Sequence, residues 1–146
     1  MGKILCATRG GEAAIETQEA AIRRAIDQND ELIFFYVVDI EFLVHAAYAL
    51  RSDIVEEEID KMGEFLLAMA VERAEQQGKQ ATAIVRHGNF IEELIKTVTE
   101  EGITLVVLGR PANDRSRFEL EQVKKLARRI VDKTGTEVWI PGIELP

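Results

Sequence analysis

Residues 32–38, Leu32-Ile33-Phe34-Phe35-Tyr36-Val37-Val38, form a continuous apolar run with no polar alternation. A strand with one wet face alternates oil and charge, whereas a strand covered on both faces does not, so this run predicts a central strand of a parallel sheet. Parallel neighbours require long crossovers, and the flanking sequence supplies them. Upstream, Ile4 to Ala7 is a short apolar strand leaving through Thr8-Arg9-Gly10-Gly11, whose glycines suit a tight exit. Glu12 to Asn29 then reads as a helix with Ala14, Ala21, Ile22, Ala25 and Ile26 on one face, which makes one βαβ unit.

Downstream, an apolar but poorly periodic stretch runs from Asp39 to Arg51. A helix follows in which Asp53 and Glu56 have capping-box spacing and Met62, Phe65, Leu66, Met69 and Ala70 are the expected core face. Gly78 ends it. A strand from Thr82 to Val85 leads through His87-Gly88 into a helix with Ile91, Leu94, Ile95 and Val98 inward, closed near Gly102. Leu105 to Leu108 is a fourth strand, Gly109 to Asp114 a loop, and Leu120, Val123, Ala127, Ile130 and Val131 the core face of a last helix stopped by Gly135. Val138-Trp139-Ile140 completes a fifth strand. Five strands alternating with four helices, joined by right-handed crossovers, predict a three-layer, doubly wound α/β domain. With no linker, repeat or low-complexity stretch in the 146 residues, one domain spanning 1–146 is expected.

Composition narrows the function classes. The net charge is −8, with 26 acids against 18 bases, which opposes general binding to nucleic-acid phosphates. No apolar run reaches the roughly 20 residues that cross a bilayer, and the chain opens directly into a strand pattern, so no membrane association and a cytoplasmic location are expected. One cysteine, Cys6, and two distant histidines, His45 and His87, give no disulfide pair and no metal-ligand signature. Residues 109–133 nevertheless hold eight bases and four acids, a basic segment on an acidic body. A solvated helix face accounts for it most simply; an anion site or partner patch is the sharper alternative.

In open α/β sheets ligands bind beyond the carboxyl ends of strands, where the winding reverses. Two loops there combine glycine with arginine: Thr8-Arg9-Gly10-Gly11 and Gly109-Arg110-Pro111-Ala112-Asn113-Asp114. Backbone donors, a helix N-terminus and a guanidinium could converge on an anion, although glycine turns of this kind also occur without a ligand. The chain has no Gly-x-Gly-x-x-Gly, no P-loop and no Gly-x-Ser-x-Gly elbow. Cys6, inside a strand, reads as a small hydrophobe rather than a nucleophile. His87 at a strand end reads first as a local hydrogen-bonding group. Trp139 reads as core, with an interface role as the alternative because the last strand should lie at a sheet edge.

The chain resembles the universal stress protein family. The resemblance rests on Lys3-Ile4-Leu5-Cys6-Ala7-Thr8, on the 32–38 strand ending at Val38-Asp39, on Val85-Arg86-His87-Gly88-Asn89, and on Leu105-Val106-Val107-Leu108-Gly109. It implies strand order 3-2-1-4-5. In nucleotide-binding members an aspartate after the first strand helps hold the nucleotide, and a Gly-x2-Gly-x9-Gly-Ser/Thr motif wraps phosphates and ribose. On this chain the aspartate position is Arg9, and the motif reads Gly109, Ala112, Gln122 and Val123. Only the first glycine remains.

With Thr8, Gly10, Val38, Asp39 and Arg110, those positions define the candidate ligand cleft. The resemblance therefore implies a protein that does not bind ATP in the usual way and needs no cofactor. Arg9 and Arg110 would either hold a smaller phosphate or carboxylate, or close the cleft, with Arg9 pairing to Asp39 or Asp114. Family members commonly dimerise through the last strand, which implies a homodimer with Val138, Trp139 and Ile140 at the interface. The expected function is a dimeric stress-response protein acting on an unknown protein partner or small anion, without turnover. The alternatives are an ATP- or AMP-binding stress protein with weak hydrolysis and, lower again, an enzyme acting on a phosphorylated metabolite. The Phe42-Leu43-Val44 connection, with Ala46, Ala47, Tyr48 and Leu50, would be a contact patch or a cleft lid.

Overall fold

A computed structural model describes residues 2–8, 12–38, 52–109 and 117–143. The strands are β1 (Lys3–Ala7), β2 (Glu31–Val38), β3 (Thr82–His87), β4 (Leu105–Val107) and β5 (Glu137–Trp139). The helices are α1 (Glu12–Gln28), α2 (Ser52–Gln76), α3 (Phe90–Glu101) and α4 (Arg117–Thr134). All strand pairs are parallel and the order is β3-β2-β1-β4-β5, as the family resemblance implied.

The 32–38 run behaves as its composition demands. β2 is bonded to β1 on one side and β3 on the other, and its side chains feed two separate cores. Ile33 and Phe35 pack with Leu94, Val98, Ala127 and Ile130 of α3 and α4. Leu32 and Phe34 pack with Ala21, Ile22, Leu67 and Ala70 of α1 and α2. Phe34 and Phe35 are fully buried, each contributing about 1.5–3 kcal/mol relative to exposure. Two polar ties hold the amino end of the sheet: Gly2 N–H donates to Asp30 Oδ1 at 2.7 Å, and Lys3 N–H to Thr104 Oγ1 at 2.9 Å.

Helix ends follow local chemistry. The Asn89 side chain accepts from Glu92 N–H at 3.1 Å and so caps α3. Gly102 closes the same helix with φ 64°, a left-handed conformation costly to any residue with a Cβ. α2 starts at Ser52, one residue ahead of its expected cap.

The faces of three helices differ from expectation. α2 turns Gly63, Leu67, Ala70 and Ala74 to the sheet, while Met62, Phe65 and Met69 face solvent at 57%, 64% and 42% exposure. Helix and sheet approach closely at Gly63: a Cβ there would lie 2.6 Å from two ring carbons of Tyr36, so that position has no room for a side chain. Ile26 of α1 and Val131 of α4 sit at the margins of their apolar stripes and are likewise exposed. β5 ends one residue earlier than the expected strand, and Ile140 instead bridges back to Ile143.

Candidate functional site

The winding reverses between β1 and β4, so the crevice opens at their carboxyl ends. Thr8 leaves β1 there, only 2% exposed, with its N–H donating to the Phe35 carbonyl at 2.8 Å. Its hydroxyl accepts a long bond, 3.4 Å, from Gln18 Nε2 of α1. The Gln18 carbonyl oxygen in turn accepts from the Arg73 guanidinium of α2. Thr17, beside Gln18, is also buried, and a Cβ on Gly109 would stand 3.2 Å from the Thr17 hydroxyl oxygen. Glycine at 109 thus lets the end of β4 approach α1 closely.

Thr8, Thr17 and Gln18 make a buried polar floor at the switch point, where such groups must be bonded or cost about 1–3 kcal/mol each. A floor of hydroxyl and amide groups can orient an anion's oxygens, but it offers no strong base. Cys6 beneath it is fully buried. Burial pushes its thiol up to about 12 against a smaller opposing hydrogen bond with Thr8, so it is no nucleophile at neutral pH.

Of the expected cleft residues, Thr8 and Gly109 meet at this floor through α1. Val38 is buried at the end of β2, and its carbonyl accepts from Gly88 N–H at 2.9 Å. Gln122 is exposed on α4, and Val123 packs half-buried against the α3/α4 core. Arg9, Gly10, Asp39, Arg110 and Ala112 lie outside the described residues, as does the 39–51 connection. Of the expected interface residues, Val138 and Ile140 point into the core, while Trp139 packs half-buried beneath the Arg24 guanidinium, 5.4 Å from its ring centroid.

Two site groups escaped the sequence reading. Thr17 and Gln18 interrupt the inward stripe of α1 between Ala14 and Ala21, and that polar interruption was the available signal. Asp60 of α2 bonds His87 Nε2 at 2.7 Å across the end of β3. Burial, and then the charge of Asp60, raise the Tyr36 phenol beside it. Nothing in sequence links residue 60 to residue 87. At the opposite end of the sheet, an open depression of about 750 Å³ is lined by Lys3 and Lys79 together with Asp30, Glu31, Glu75 and Glu101, so that acids outnumber bases. Among the described residues no three His, Cys, Asp or Glu side chains gather as a metal site, and no helix is long and apolar enough to cross a membrane.

The profile of the universal stress protein family matches residues 1–140. The chain belongs to the universal stress protein family. A curated relative, universal stress protein YxiE of Bacillus subtilis (strain 168), is 29% identical over 114 residues, covering 73% of this chain and 77% of that one. Among solved structures, universal stress protein UspA from Lactobacillus plantarum superposes with a TM-score of 0.75 at 16% identity, covering 95% and 96% of the two chains. A universal stress protein family protein from Arabidopsis thaliana with AMP bound gives 0.63 at 16% identity, covering 96% and 90%. These structural likenesses establish the fold of this universal stress protein, and the family expected from its sequence stands.

Proposed function

We propose that this universal stress protein does not grip ATP in the manner of the family's nucleotide-binding members and acts as a homodimer through a protein partner or a small anion, without turnover. One observation carries the reading. α4 begins at Arg117, so the third-glycine position, Gln122, and the hydroxyl position, Val123, fall in its second turn. Backbone N–H groups that far into a helix already donate to carbonyls four residues back and are not free for phosphate. Val123, moreover, is spent on packing. Losing two bonds to charged oxygens, about 1.5–3 kcal/mol each, lowers affinity by about 10²–10⁴-fold.

A melting screen against ATP, ADP, AMP and inorganic phosphate tests this. A ligand at one hundred times its dissociation constant stabilises by about 2.7 kcal/mol, a rise of roughly 5–10 °C for a chain this size. The expected result is no ATP shift; a rise of several degrees with ATP overturns the proposal. The AMP-bound Arabidopsis relative favours a second reading, an AMP-type ligand, which a shift with AMP alone would select. Sedimentation at micromolar concentration tests the dimer, and a monomer there removes it.

A further inference from the structure

We propose that the outer face of α2 is a docking surface for a basic, amphipathic helix of a partner protein. The surface lies on α2 alone and does not depend on what the strand-end crevice holds. Met62, Phe65 and Met69 follow i, i+3, i+7 spacing, the seam that a second helix packs against. All three face solvent, with Phe65 at 64%. They are more than scattered exposure, because they share one stripe of one helix opposite its buried face. Methionines flanking a phenylalanine make an adaptable apolar surface of the kind that accepts helical ligands.

Charge selects the occupant. α2 carries eight acids (Asp53, Glu56, Glu57, Glu58, Asp60, Glu64, Glu72, Glu75) and two bases (Lys61, Arg73), a net of 2 − 8 = −6. That is most of the whole chain's −8. One of the two bases, Arg73, is turned toward Gln18 of α1. Glu64 and Glu72 are exposed on this helix. A second copy docking through the same face would set one acidic helix against another, and an anionic membrane would be repelled, whereas a helix with apolar anchors and lysine or arginine flanks satisfies both the seam and the helix's excess of acids.

The probe is a labelled leucine/lysine peptide of about five helical turns, ~18 residues, with leucines at seam spacing, titrated into the full chain without nucleotide. Saturable one-to-one binding that weakens with salt is expected. Phe65→Ala should weaken it at least about tenfold, and Glu64→Gln with Glu72→Gln several-fold, while Glu137→Gln on β5 leaves it unchanged. The altered side chains are exposed, so each variant keeps the fold, which its circular dichroism and melting checks. The proposal is overturned by any of four results: no binding, binding indifferent to Phe65→Ala, equal binding of a leucine/glutamine peptide, or a Phe65-dependent self-association or vesicle binding in place of peptide binding.

Discussion

Gly63→Ala is the most direct probe of how α2 sits on the sheet. The added Cβ would stand 2.6 Å from Cδ1 and Cε1 of Tyr36, whereas carbon atoms rest about 3.5–4.0 Å apart, so roughly 1 Å of separation must be found. Overpacking of this size costs about 1–3 kcal/mol. Against it, alanine inside a helix gains about 1 kcal/mol over glycine. The expected net change is a loss of up to about 2 kcal/mol, lowering Tm by roughly 2–4 °C per kcal/mol. In a Tyr36→Ala background the ring is gone and only the helix gain remains, so the same substitution should stabilise by about 1 kcal/mol. Urea unfolding of the four proteins in this cycle gives the coupling, expected at about 1–3 kcal/mol. Additive effects within about 0.5 kcal/mol would refute the close approach at Gly63.

The remaining expectations follow from burial and titration. Leu67→Ala should cost about 2–5 kcal/mol in urea unfolding, while Phe65→Ala stays within about 0.5 kcal/mol; similar losses at the two sites would mean that α2 is rotated from its described orientation. Cys6 titrates at about 12 in the fold against 9.0 in the open chain, so above pH 9 the unfolded state sheds a proton the folded state keeps. Stability is therefore full below pH 9 and declines toward pH 12 on the order of 1 kcal/mol per pH unit, a slope that unfolding at pH 8 and 10.5 would detect and Cys6→Ala should flatten. Asn89→Ala removes the α3 cap and should lower stability by about 1 kcal/mol, read by thermal melts.

The parts of the fold that sequence exposes are those where one physical demand acts alone. Continuous oil at 32–38 has no use except in a strand covered on both faces, and β2 is covered so. α2 was harder because two demands compete. Its largest apolar residues keep helical spacing and so imitate a core face, yet the Tyr36 ring leaves no room for a side chain at Gly63, and the face turned inward is Gly63, Leu67, Ala70 and Ala74. The site divides in the same way. The strand-end position of Thr8 and Gly109 follows from topology, which the order of elements implies. The bonds between Gln18 and Thr8 and between His87 and Asp60 join residues on different elements, and their pairing depends on how the helices are turned. Val138 and Ile140 share an inward face because the pleat alternates about Trp139.

The outer rim of β5 has a consequence for how selective any joint there can be. Its apolar side chains are committed, Val138, with Ile140 just beyond the strand, to one core and Trp139 to the other beneath Arg24. A newcomer along that rim meets peptide groups, which are the same in every chain. Discrimination between a sister copy and a related chain would then fall to the charges on α1 and α4 to either side, so a few charge-reversing exchanges on those helices could redirect pairing while leaving the rungs themselves untouched.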